Sequence, residues 1–453
     1  MTLHRFRPFC GGLRFGALAL IAAALIAFAV PAQATKIERV VSPGGIEIWL
    51  VRDSTVPVVA LNFAFRGGGA QDPAAKAGVS DLAISTLDEG AGDLDATAFQ
   101  QRLERKAIEL QIQSSRDHIR GTTRTLTENR DEAFELLRLA LTKPRFDTPA
   151  VERIRAQMIS RLHRETTNPG SIARRAWSET AFPGHPYGRA VSGTLESVPL
   201  ITVDDLRGYV RRVLACDTLK VAVVGDIDAA GAGKLIDHAF GALPAKAELQ
   251  PVPPAVMQGR GNRLIVDLDV PQATIMFGAP GIARSDPDFM AAYIVNHILG
   301  GGSFTSRLYE EVRERRGLAY GVYTSLAWYE AATLLIGNTA TRSDATATTI
   351  EVIETEFQRI AKDGPTQDEL DKAKTFLQGS FALGLDTSTK IANQLVQMQL
   401  DNLGIDYIDR RSALIDAVTL ADARRVSKRL FDGGLLTTVV GRPKGVTPRN
   451  TGG

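Results

Sequence analysis

A chain of 453 residues with 44% apolar and 23% charged side chains is too long for one ordinary core and too apolar to be disordered, so at least two globular domains are expected. Its formal net charge of +2 gives no reason to expect nucleic acid or an anionic membrane as partner. With only Cys10 and Cys216, a disulfide-built scaffold is excluded as well.

The chain opens MTLHRFRPFCGGLRFGALALIAAALIAFAVPAQA. Arg5, Arg7 and Arg14 flank the start of an apolar run over residues 15–30, and Ala32-Gln33-Ala34 then has the small-x-small order of a signal-peptidase site. That run falls short of the roughly 20 residues that span a bilayer as a helix, so residues 1–34 read as a secretory signal and not as a stable membrane anchor. Cleavage removes three arginines and no acid, taking +2 to −1, and leaves Thr35 first and Cys216 as the only cysteine. A periplasmic location is therefore expected. Cys216, beside an apolar stretch over 219–224, reads as a packed core residue.

Beyond residue 35 one plan is written twice. Strand-like runs over 46–50 and 58–65 open the first half, and ITVDDLRGYVRRVLACDTLKVAVVGDID closes it with a capped helix and an apolar strand ending at Gly225. Runs over 263–270 and 273–277 open the second half. VTLADARRVSKRLFDGGLLTTVVGRP closes it in the same order at Gly441, 216 positions later. The helix pattern over 78–87 has its counterpart over 291–299. So long a period means duplicated domains. The expected fold class is α+β, with two similar domains, each packing helices on one face of a mostly antiparallel sheet. The first spans 35–246 and the second 262–453. They are joined by a linker over 247–261, AELQPVPPAVMQGRG, with three prolines and two glycines.

Residues 293–330 combine two helix patterns and a strand pattern around clustered glycines. An apolar helix pattern with Tyr293, Ile294, His297 and Ile298 runs into Gly300, Gly301 and Gly302, where the absence of Cβ lets the backbone turn cheaply. A second helix carries Leu308, Val312 and the charged run from Glu310 to Arg316, and stops at Gly317. Tyr320, Val322, Thr324, Leu326 and Trp328 then alternate like a strand with one packed face. If the chain reverses at Gly317, the guanidinium of Arg313 and the phenol of Tyr320 converge on one surface. Taken alone, Arg313 reads as a solvated helix charge and Tyr320 as a core aromatic.

The run GGGSFTSRLYEEVRERRGLAYGVY resembles the C-terminal-domain signature of the pitrilysin/insulinase family of zinc peptidases, in which an Arg and a Tyr seven residues apart contact substrate beside the metal. FPGHPYGRAVSGTLESV, over 182–198, is similar to a second run of that family. The resemblance covers nearly the whole chain after residue 34 and implies half of the family's clam shell. In active members a helix of the first domain carries H-x-x-E-H, two histidines on one face with a glutamate as general base, and a distal glutamate completes the zinc ligands. Aligned on Gly78, this chain has Asp81 and Ser85 at the histidines, Ile84 at the glutamate and Arg161 at the distal ligand. Isoleucine is no base, and a cation at a ligand position opposes metal binding.

No two of His4, His118, His163, His185, His238 and His297 have ligand spacing on one helix. There is no G-x-S-x-G elbow, and GAGKL over 231–235 lacks the first glycine and the Ser/Thr of a phosphate loop, so it reads as a helix start. The resemblance therefore implies the zinc-free subunit of a heterodimeric periplasmic metallopeptidase. Arg313 and Tyr320 would bind peptide and stabilise its transition state in trans to a homologous, zinc-bearing partner, as a heterodimer or a dimer of heterodimers. No cofactor is expected in this chain, and zinc is expected in the partner. The alternative is a non-enzymatic peptide-binding or assembly scaffold, and a self-sufficient hydrolase would be active alone.

Overall fold

In the computed structural model residues 36–451 are described, and the signal-peptide reading of residues 1–34 lies outside them. Among the described residues no helix is long and apolar enough to cross a membrane.

Strand β1 (Glu38–Val41) pairs with β2 (Glu47–Arg52), and β3 (Val58–Arg66) runs through the first sheet with the sequence VVALNFAFR. Its residues 59–65 are all buried, as β-branched and aromatic runs are when both faces are covered. Helix α1 (Val79–Ile84), the ribbon β4 (Gly90–Ala91) and β5 (Leu94–Asp95), and α2 (Ala96–Arg105) lead to the hairpin β6 (Glu109–Ser114) and β7 (His118–Leu126). Helices α3 (Arg130–Thr142), α4 (Thr148–Glu165), α5 (Pro169–Ala181) and α6 (Val203–Val213) follow. Then β8 (Lys220–Gly225) enters between β2 and β3, ahead of α7 (Ala229–Phe240). GAGKL lies inside α7, whose N-cap Asp228 accepts from Gly231 N at 2.7 Å, so it is a helix start.

The second half repeats this. After β9 (Arg263–Val266) and β10 (Gln272–Pro280) come α8 (Phe289–Asn296), α9 (Arg307–Tyr309) and the hairpin β11 (Ala319–Trp328) and β12 (Thr333–Arg342). Helices α10 (Thr346–Asp363), α11 (Gln367–Leu383), α12 (Ser388–Leu400), α13 (Tyr407–Asp416) and α14 (Leu420–Phe431) lead to β13 (Leu436–Val440). The first sheet has the order β1-β2-β8-β3-β7-β6 and the second β11-β12-β10-β13-β9. Read from the parallel pair outward, β2-β8-β3-β7-β6 reappears as β9-β13-β10-β12-β11. Every pair is antiparallel except β2 with β8 and β9 with β13. Among the described residues of the first sheet only β1 has no counterpart in the second, and no strand is expected there from the sequence.

The repeat extends to single residues. Helices α6 and α14 both begin with a Thr/Asp capping box, Thr202 with Asp205 and Thr419 with Asp422. Gly225 and Gly441 leave their strands at φ +140° and +139°, a backbone that side-chain-bearing residues rarely adopt. Gly121 stands opposite Phe63 and Gly337 opposite Phe277, and a Cβ on either glycine would fall 2.0 or 2.2 Å from the facing ring. Each glycine makes room for a phenylalanine of the core.

Each half has its own apolar core between sheet and helices, centred on Phe63, Phe65 and Phe240 in the first and on Phe277, Phe357 and Phe431 in the second. The opposite face of each sheet is covered as well, and by a helix of the other half. Helix α5 packs on β10 and β13, where Trp177 Nε1 donates to Leu436 O at 3.0 Å. Helix α12 packs on β3 and β8, where Gln399 Nε2 donates to Val221 O at 2.9 Å. Residues 247–259, within the stretch expected as a linker, have no regular structure and are fastened to both halves. Gln250 exchanges two hydrogen bonds with the side chain of Gln71, and Ala255 N donates to Ala331 O at 2.7 Å.

Candidate functional site

Helix α1 starts at Gly78, whose φ of +100° suits glycine. The buried Asp72 caps it, accepting from Gly78 N at 2.8 Å and Ser80 N at 2.9 Å, and burial raises its pKa to about 7 against the pull of these donors. Asp81 and Ser85 lie four residues apart on one helix face. Helix α4 brings Arg161 to the same place, and its Nη2 donates to the Asp81 carboxylate. Burial pushes the Asp81 pKa up, while the charge and hydrogen bond of Arg161 and a hydrogen bond from Ser85 pull it down. Ile84 is only 1% exposed and packs into the first core.

Asp81, Ser85 and Arg161 thus converge in space, as the alignment on Gly78 requires, but they do not fit a zinc ion. The one carboxylate is already neutralised by a guanidinium that arrives from the distal-ligand position, and the residue at the base position faces the core. Among the described residues no three His, Cys, Asp or Glu side chains are grouped so as to hold a metal.

The second cluster is built on irregular helix. Helix α8 widens into a π-helical turn over His297–Gly301, and α9 continues as another over Glu310–Glu314. A Cβ on Gly300 would meet Thr324 Oγ1 at 2.5 Å, so the glycine lets the first turn lie against β11. Such turns concentrate at functional sites. The second is closed by Gly317 N donating to Arg313 O at 2.9 Å and Leu318 N to Val312 O at 2.8 Å, with Gly317 at φ +59°. The chain does reverse there.

Strand β11 differs from the simple alternation expected for it. Ala319 pairs with Thr341 but Val322 with Thr339, so one extra residue is inserted. The bulge takes Tyr320 off the face of Val322 and Thr324, which are buried, and leaves it 84% exposed. Tyr320 is therefore not a core aromatic, and its ring meets Arg313, with Cζ 4.7 Å from the ring centroid. On the other side Arg313 lies 4.9 Å from the Tyr309 ring centroid and donates to the Tyr309 hydroxyl. Phe304, 73% exposed, stands edge-on to Tyr309 with centroids 5.2 Å apart. The neighbouring cations pair with carboxylates, Arg315 with Glu310 and Glu311 and Arg316 with Glu311, and Arg313 Nε lies 3.6 Å from Glu314 Oε1. Arg313 alone in this run is held between two aromatic rings, an arrangement worth about 0.5–1 kcal/mol per ring at exposed sites.

Tyr309 and Phe304 were not singled out from the sequence, although Tyr309 stands four residues before Arg313 and so shares its helix face. The run FPGHPYG, by contrast, joins the halves. His185 Nδ1 accepts from Tyr187 N at 3.0 Å, and its Nε2 lies 2.9 Å from Pro253 O of the connecting segment. The Tyr187 hydroxyl donates to Asp117 at 2.6 Å and accepts from Ala331 N at 2.9 Å. Next to it Glu330 takes Arg66 and His118. Burial raises the Glu330 pKa, but hydrogen bonds from His118 and Arg66 outweigh it and hold it at about 2.

These features agree with comparisons to known proteins. The family profile described as insulinase (peptidase family M16) matches residues 47–195, and the one described as peptidase M16 inactive domain matches residues 200–377. The chain is 31% identical over 340 residues to the Helicobacter pylori protein named non-peptidase homolog YmxG, covering 75% of this chain and 78% of the relative. It is 26% identical over 412 residues to an uncharacterized zinc protease of Streptomyces coelicolor, 89% of each chain. The crystal structure of a peptidase M16 inactive domain from Pseudomonas fluorescens superposes with a TM-score of 0.85 at 27% identity, covering 92% of this chain and 99% of that one. The duplicated fold, the motifs and these similarities agree: this chain belongs to the insulinase family, peptidase family M16.

Proposed function

We propose that this protein is the zinc-free subunit of a periplasmic heterodimeric peptidase of its family, and that it supplies Arg313 and Tyr320 in trans to a homologous, zinc-bearing subunit. The observation that carries the reading is the stack of Arg313 under an 84%-exposed Tyr320. Among the described residues there is no ligand set for a metal beside which this pair would act. The guanidinium, a rigid fork of donors, would hold a carbonyl or carboxylate of the bound peptide. The Tyr320 hydroxyl would donate to the scissile carbonyl oxygen as negative charge develops there. Base and metal belong to the partner. The name of the Helicobacter pylori relative, a non-peptidase homolog, supports a chain that does not cleave peptides alone.

Reconstitution tests the reading. This chain mixed with its zinc-bearing partner should cleave peptides that neither cleaves alone. Arg313→Ala should raise KM and lower kcat without preventing assembly. Unaltered cleavage by Arg313→Ala and Tyr320→Phe complexes would leave this subunit a peptide-binding or assembly scaffold. Activity of the isolated chain would instead demand a displaced hydrolytic site.

A further inference from the structure

A cleft of about 410 Å³ lies between α5 and the outer face of the second sheet, away from both clusters described above. Met276, Leu334 and Ile336 form its sheet side together with Thr274 and Asn338, and Trp177 of α5 faces them. Tyr187 and Tyr329 close one end. Two guanidinium groups border it. Arg116 lies over the rings of Tyr187 and Tyr329, 5.0 and 5.5 Å from their centroids, and donates to Tyr187 O at 2.6 Å. Arg174 is exposed on α5 and has no hydrogen-bond or ion-pair partner among the described residues.

The internal repeat shows that the fold does not require this opening. Because Gly121 and Gly337 stand opposite Phe63 and Phe277, Arg120 and Ile336 occupy the same place in the two sheets. Arg120 reaches across to the exchanged helix α12, donating to Asn393 Oδ1 at 3.4 Å and to Gln397 Oε1, and so bridges the gap between sheet and helix. Ile336 is too short and too apolar to do this for α5. The second sheet thus keeps an apolar slot where the first has a polar bridge.

We propose that this cleft binds a small apolar carboxylate, an aryl- or alkyl-carboxylic acid whose body lies between Trp177 and Ile336 and whose carboxylate meets Arg174 and Arg116. Its volume lies within the range of small-molecule sites, and so does its mixed lining, apolar and aromatic side chains with Ser178, Thr274, Asn338 and the two arginines among them. A guanidinium without a partner favours a carboxylate, which it can hold through two parallel hydrogen bonds. A neutral ligand of the same shape would gain the apolar contact and leave Arg174 as it is.

Titration calorimetry on the whole protein tests this with 3-phenylpropionate and decanoate, each compared with its alcohol. Both acids should give saturable heats, with the alcohols about tenfold or more weaker. Arg174→Gln, at an exposed position that the fold does not use, should weaken the acids about tenfold and leave the alcohols unchanged. Ile336→Arg, which copies Arg120, should abolish binding of all four. A tetrapeptide ending in phenylalanine, compared with its C-terminal amide, tells the end of a peptide from a free acid. Preference for that peptide assigns the cleft to peptide C-termini, and preference for 3-phenylpropionate assigns it to small acids. The proposal is overturned if neither acid binds up to about 10 mM, if acids and alcohols bind alike, or if Arg174→Gln binds the acids as well as the unaltered protein.

Discussion

The two halves share one strand order, yet their chemistry-bearing clusters have opposite fates. In the first, an arginine is spent on a carboxylate of its own chain, with the half-exposed Arg161 paired to the mostly buried Asp81 and Ile84 sealed into the core. In the second, an arginine stacks on aromatic rings, with Arg313 between Tyr309 and an exposed Tyr320. The difference teaches that an ion pair can tie together the two helices on which the resemblance places zinc ligands. It also teaches that the Arg313–Tyr320 stack forms in a chain whose first half has that ion pair. The Asp81–Arg161 pair should then matter to stability and the Arg313–Tyr320 pair to function.

The largest expected effect is on turnover. Tyr320→Phe removes one hydroxyl from an exposed side chain, and losing one such donor typically costs about 100-fold to 1000-fold in kcat, roughly 3–4 kcal/mol of barrier. Steady-state kinetics of the reconstituted complex reads this. An unaltered kcat would erase the functional half of the comparison. Next in size is Arg161→Ala, which leaves Asp81 without its countercharge. The arginine is 43% exposed and solvent screens the pair, so a destabilisation of about 1–2 kcal/mol is expected instead of the 3–5 typical of fully buried pairs. Urea unfolding measures it, and Arg313→Ala in the same experiment should cost about 1 kcal/mol or less. Equal losses would remove the contrast.

A smaller effect concerns the seam between the halves, which belongs to neither cluster. Glu330 has a native pKa of about 2, below its unfolded value, so its contribution to stability is full above about pH 4.3 and fades as pH falls toward 2. Glu330→Gln should therefore lower stability at neutral pH and converge on the unaltered protein in acid. Melts at a series of pH values check this, and a difference that grows in acid would reverse the sign.

How much of this was legible in the sequence depends on how local each feature is. The duplication and the glycines 225 and 441 followed from spacing, whereas the placing of Asp81 and Arg161 at one site followed from the family resemblance, which did not foretell their ion pair. The reversal at Gly317 was legible too, because a C′ glycine acts on its own neighbours. The exposure of Tyr320 did not follow. It comes from a bulge defined by the register between β11 and β12, and alternation within one strand cannot report an inserted residue. The exchange of α5 and α12 was hidden for a related reason, since the sheet each helix covers lies in the other half. The π-helical turns keep an apolar pattern close to that of an α-helix, so the sequence showed helix without its widening.

The central claim, that Arg161 stands where a zinc ligand would be and leaves the first half unable to hold the metal, is tested most directly by the zinc content of the purified chain. Elemental analysis after dialysis should find far less than one zinc per chain, whether or not zinc was supplied during growth. About one tightly held zinc per chain, removed only by a chelator, would contradict the account.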